Sequence, residues 1–102
     1  MNIAEYNFSG PYELENNDFI DRAAIYVILC YQGSQYVHLY VGETGQLGTR
    51  LSTHHKYECW KNNCKETLYV AVLLTPSDQY TPEKRREIEQ YLINKLKPIW
   101  ND

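Results

Sequence analysis

Residues 23–31 read AAIYVILCY, nine apolar residues in succession. A strand with one wet face alternates apolar and polar side chains, whereas a run with no polar position is buried on both faces. This run therefore predicts a central strand, enclosed by neighbours and by structure above and below it. A chain of 102 residues supplies one such core and not two.

The elements around the strand follow from local patterns. Gln32-Gly33-Ser34-Gln35 is turn chemistry. From Tyr36 to Val41 the sequence alternates, with Val37, Leu39 and Val41 on one side and Tyr36, His38 and Tyr40 on the other, which predicts a hairpin. A helix is expected from Thr44 or Gly45 to about Tyr57, then a polar loop over 58–66 and a third strand over 67–74, rich in β-formers. After a loop containing Pro76, Thr81-Pro82-Glu83 combines a capping hydroxyl, proline at the first helical position and an early acid. That helix should run to Leu96 and stop before Lys97-Pro98. Residues 1–22 show no clean period and contain Gly10-Pro11 and Asn16-Asn17, so they read as an extended lead-in with one short strand, packed on the domain. The expected fold is α/β in the α+β sense. A small three-stranded antiparallel or mixed sheet is flanked by helices in the order β-β-α-β-α over residues 23–102, behind an acidic extension.

Composition excludes several classes. No apolar run approaches the roughly 20 residues of a membrane span. The first 18 residues are polar and acidic, unlike a secretory leader, so the cytoplasm is the expected location. Cys30 lies in the apolar run, and Cys59 and Cys64 flank Trp60-Lys61-Asn62-Asn63, a spacing that fits neither a redox pair nor a zinc knuckle. Reduced thiols are expected. A zinc-stabilised domain using His54, His55, Cys59 and Cys64 is disfavoured, because adjacent histidines converge poorly on one ion. Net charge is −3, of which residues 1–22 hold −4 and the remainder +1. A domain gripping duplex DNA through many phosphates is far more basic, so any nucleic-acid contact is local or shared with a partner.

Three local geometries carry the chemistry. If Tyr26 opposes Tyr40 across the hairpin, or sits one diagonal step away, both phenols share a face; a slip of one residue separates them. Two core tyrosines stacked across a hairpin is the bland alternative. On the first helix, Leu47 and Leu51 define the buried stripe and Arg50 and His54 flank it four residues apart, while His55 points away. There the alternative is a solvated arginine and a surface histidine. On the last helix, Ile88, Tyr91, Leu92, Ile93 and Leu96 form an apolar arc with Glu89 inside it. A mid-helix carboxylate in that position needs a partner, a metal or a wet cavity. Arg85, one turn earlier, is the competing partner.

Together these residues resemble the GIY-YIG nuclease superfamily. Ala24-Ile25-Tyr26 stands for the first motif, with alanine for the usual glycine, and Tyr40-Val41-Gly42 for the second. Arg50 and His54 follow on the next helix. Glu89, Leu92-Ile93, Leu96, Pro98 and Asn101 match E-x-x-L-I-x-x-L-x-P-x-x-N. The resemblance implies a metal-dependent endonuclease that hydrolyses DNA phosphodiester bonds. It implies one divalent ion, Mg²⁺ or Mn²⁺, on Glu89, with Arg50 stabilising the transition state and Tyr26, Tyr40 or His54 as general base. Gly42 would allow a sharp turn where bulk would obstruct the substrate, and Asn101 would fix the site or bind phosphate. DNA is the implied partner, with a targeting protein or a second copy of the chain supplying specificity, and no membrane. Between Gly42 and Arg50 this chain carries Glu43, Gly48 and Thr49 where many relatives carry bases. That departure, with the acidic extension, favours the alternative of a non-catalytic nucleic-acid or protein binding module.

Overall fold

The computed structural model describes residues 1–101. The apolar run forms β4 (Ala24–Gln32), which pairs on one side with β5 (Gln35–Thr44) and on the other with β6 (Thr67–Leu74). β1 (Asn2–Ile3) and β2 (Tyr6–Asn7) make a separate two-stranded ribbon, and β3 (Ser9–Glu13) joins the main sheet. Three helices complete the chain: α1 (Leu47–Ser52), α2 (Tyr57–Asn62) and α3 (Pro82–Leu96). Together they make a small α+β domain in which every pairing is antiparallel. No helix among the described residues is long and apolar enough to cross a membrane.

The main sheet has four strands in the order β3-β6-β4-β5, not three. β3 pairs with β6, so Ser9–Glu13 of the N-terminal segment is a strand of the main sheet, while β1 and β2 form their own ribbon. Phe8 is 1% exposed and Leu14 7%, which anchors this segment on both faces of the sheet.

β4 is buried on both sides, as its composition requires. Tyr26, Ile28 and Cys30 face a core made with α1, α2 and Trp60, while Ile25, Val27 and Leu29 face α3 through Ile88 and Leu92. The β4–β5 turn is two residues, Gly33 and Ser34, both at positive φ (59° and 64°). That conformation matches the twist of the strands it joins, and glycine adopts it freely.

The expected long helix is two short ones. α1 receives its N-terminal cap from a distance, because Gln46 makes no side-chain cap. Asp21 accepts the Thr49 N–H at 2.6 Å and the Thr49 hydroxyl at 2.8 Å. At the other end the hydroxyls of Ser52 and Thr53 both donate to the Thr49 carbonyl, at 2.9 and 3.0 Å, and the chain leaves the helix. α2 occupies part of the expected polar loop and exists to place Trp60, which is fully buried.

The expectation of reduced thiols is also corrected. Cys30, inward at the end of β4, and Cys64, just after α2, form a disulfide, leaving Cys59 as the free thiol. The two are 34 residues apart in sequence.

Candidate active site

Tyr26 lies opposite Gly42 and Ile28 opposite Tyr40, so the two tyrosines are one diagonal step apart on the same face. Their rings stack with centroids 6.2 Å apart and planes 29° from parallel. The register shifts between Ile28 and Leu29, with Leu39 the additional residue on β5. The simple alternation therefore fails: Leu39 and Tyr40 both turn toward the α1–α2 side and Val41 toward α3.

Gly42 makes no turn. It lies within β5, and a Cβ there would sit 2.4 Å from both Cζ and Oη of Tyr26. The glycine is needed because the phenol lies across it.

The Tyr26 hydroxyl is the hub of the site. His54 Nε2 is 2.8 Å from it and Arg50 Nε donates to it at 3.4 Å. His54 lies just beyond the end of α1, so the pair converges through the bend that follows the helix and not through one helical face. The Lys56 backbone N–H donates to His54 Nδ1 at 3.0 Å. Burial, with Arg50 nearby, lowers the His54 pKa to about 3, so the ring is neutral at ordinary pH. With Nδ1 accepting, the proton is on Nε2 and is donated to Tyr26. Tyr26 thus accepts from both His54 and Arg50, and its own proton is left to point elsewhere. Trp60 walls this group, with its ring 4.4 Å from His54 and 5.4 Å from Tyr40. His55 is exposed, as expected, and stacks on the outside of His54.

Burial raises the pKa of both phenols; the nearby Arg50 opposes this, and the charge of Glu89 adds to it. Glu89 comes from α3, which packs on the other face of the sheet, and β5 is the strand at the sheet's edge. Along that edge the outward backbone groups alternate. The Leu39 carbonyl accepts from Trp100 N–H at 2.9 Å. Val41 is bracketed by the Asn101 amide, whose Oδ1 accepts at 2.6 Å and whose Nδ2 donates at 2.9 Å. Asn101 therefore fixes the strand that carries Tyr40 and Gly42.

Glu89 is half-buried, and burial followed by the nearby Glu43 charge raises its pKa. Among the described residues it has no ion pair, since Arg85 does not bond to it. Arg85 is 7% exposed, not reaching water along its stem, and its Nε is 2.8 Å from Glu43 Oε2. Tyr91, expected in the apolar arc, is at the rim, with its hydroxyl donating to Glu5. Among the described residues no three His, Cys, Asp or Glu side chains converge. A single half-buried carboxylate suits Mg²⁺, which keeps most of its waters and takes as few as one protein carboxylate.

The structure thus brings Tyr26, Tyr40, Arg50 and His54 together on one face, with Gly42 beneath, Asn101 bracing the edge and Glu89 acting from the other side. The sequence reading missed Trp60, Glu43 and the Lys56 backbone. Trp60 is the lone large apolar residue in a polar stretch, and Glu43 carried no signal beyond its place after Gly42. No family model, curated protein or solved structure matches the chain.

Proposed function

We propose that this chain is a metal-dependent endonuclease that hydrolyses DNA phosphodiester bonds, built on a GIY-YIG-type fold and active site. The observation that carries the reading is the Tyr26 hydroxyl, which accepts from both His54 and Arg50 beside a second phenol and within the influence of a carboxylate that has no ion pair among the described residues.

Phosphodiester hydrolysis needs an activated water, neutralised charge on the phosphorane-like state and a stabilised leaving oxygen. Arg50 engages Tyr26 through Nε and leaves the outer nitrogens of its fork to meet phosphate oxygens. Tyr26, whose hydroxyl accepts from His54 and Arg50, keeps its own proton to donate, and Tyr40 presents a second phenol beside it. His54 carries its proton on Nε2 and so orients Tyr26 rather than taking a proton from water. Glu89 would hold the divalent ion, which when bound supplies positive charge at the phosphate and favours ionisation of a nearby water or phenol. A cytoplasmic site of action belongs to this reading because the substrate is DNA, although the Cys30–Cys64 bond counts against a strongly reducing compartment.

The test is cleavage of duplex, branched and single-stranded DNA with Mg²⁺ or Mn²⁺, with Glu89→Gln as the control. Metal-dependent cleavage that is lost in Glu89→Gln, with the melting temperature retained, supports the reading. Binding without cleavage under every metal condition would replace it with a non-catalytic module. Activity that survives Glu89→Gln while the fold collapses would make Glu89 structural.

A further inference from the structure

We propose that Glu43 is a positioning residue that keeps Arg85 away from Glu89 and so leaves the Glu89 carboxylate open to the divalent ion; this rests on the nuclease reading above. Arg85 and Glu89 are four residues apart on α3, the spacing at which opposite charges pair along a helix. Arg85 is buried, and a buried guanidinium requires an anionic partner. Two carboxylates are available to it. The structure gives it Glu43, with Nε 2.8 Å from Oε2. The guanidinium is drawn toward the turn after β5, where Nη2 is 4.0 Å from the position a Cβ would take on Gly45.

Glu43 also lies close enough to Glu89 for its charge, after burial, to raise the Glu89 pKa. The residue after Gly42 therefore neighbours Glu89 while its side chain holds Arg85. If the Glu43 side chain is made neutral, Glu89 becomes the remaining anionic partner for Arg85, and the ion must compete with an internal cation. This also accounts for an acid at a position where phosphate attraction alone would favour a base.

Mn²⁺ binding to the full chain without DNA, followed by calorimetry and by the electron paramagnetic resonance signal of the free ion, tests this directly. Glu43→Gln should weaken Mn²⁺ binding by about 10–100-fold, the usual cost of losing a residue that orients a ligand. Glu43→Gln combined with Arg85→Met should restore binding to near the wild-type level, since the competing cation is gone. Arg85→Met alone should bind at least as tightly as the wild type. Unchanged affinity in Glu43→Gln would overturn the proposal, as would a double variant as weak as the single, which would make Glu43 a ligand itself. Melting temperatures measured in parallel identify any variant that fails to fold, in which case Arg85→Met decides: weaker binding there overturns the proposal. Failure of the nuclease reading looks different. Mn²⁺ binding that is undetectable in the wild type, or unaffected by Glu89→Gln, removes the metal from Glu89 altogether.

Discussion

Gly42→Ala is the sharpest probe of how the sheet builds the site. The added methyl would lie 2.4 Å from Cζ and Oη of Tyr26 and 2.9 Å from Cε1, all well inside van der Waals contact. The far end of a flexible side chain could swing away, but this ring is fully buried and wedged between Tyr40 and His54. Either the ring or the strand must move. Overpacking of this kind costs about 1–3 kcal/mol. For a domain of this size each kcal/mol lowers the melting temperature by roughly 4–8 °C. The functional loss should exceed the loss of stability, because displacing Oη breaks the 2.8 Å contact to His54 and the 3.4 Å contact to Arg50 together. Urea denaturation and DNA cleavage measured on the same preparation separate the two effects. Tyr26→Leu shortens the side chain and removes the atoms that collide, so in that background Gly42→Ala should cost much less. A coupling of about 0.5–3 kcal/mol is expected from a double-mutant cycle. Wild-type stability and cleavage in Gly42→Ala, or strict additivity in the cycle, would refute the reasoning.

Arg50→Lys should remain severely impaired in cleavage, since lysine keeps the charge but loses the planar fork; near-normal turnover would reduce the arginine to a diffuse charge. His54 has a folded pKa of about 3, below its ordinary 6.5, so the unfolded chain takes up the proton first as pH falls. Its contribution to stability is complete above the ordinary value and is lost toward about 3, at up to ~1.4 kcal/mol per pH unit. Urea-derived stability of wild type minus His54→Gln should therefore shrink between about pH 6 and 4, and parallel profiles would show that the imidazole is not held neutral. Deleting residues 1–22 should leave an unfolded or insoluble chain, because burying an aromatic such as Phe8, 1% exposed, is worth about 1.5–3 kcal/mol and Asp21 caps α1. A stable truncated chain that binds DNA more tightly at low salt would instead make the segment an electrostatic cover.

What could be read from the sequence was set by pattern length. β6 was delimited at both ends by turn residues, and α3 announced itself through Thr81, whose hydroxyl accepts the Lys84 N–H at 3.0 Å. β3 was illegible as a sheet strand because SGPYE has no alternation and its pairing depends on β6, more than fifty residues away. α2 spans six residues with one large buried side chain, too few to show a helical period. The face shared by Tyr26 and Tyr40 was readable, whereas the extra residue at Leu39 was not, since a bulge leaves no mark on composition. Gly42 was recognised as necessary for the wrong reason: the constraint comes from a ring on the neighbouring strand. The partner of Arg85 is Glu43 on β5, which no helical spacing reveals.

The row of hydrogen bonds along the outside of β5 has a consequence for how molecules of this protein meet one another. An uncovered strand edge is a template on which a second chain can add a strand, the first step toward fibrils and swapped oligomers. Here Trp100 and Asn101 take up the outward groups of Leu39 and Val41, so that edge offers an incoming chain no continuous ladder. The opposite edge is β3, five residues long, with an irregular register between Ser9 and Tyr12 and with Pro11, which has no N–H to donate. Both margins of the sheet are thus blunted by different means, one by side chains that also serve the site and one by local backbone chemistry. Removing Trp100 and Asn101 would strip the first of these protections and favour self-association through β5, beside the phenols.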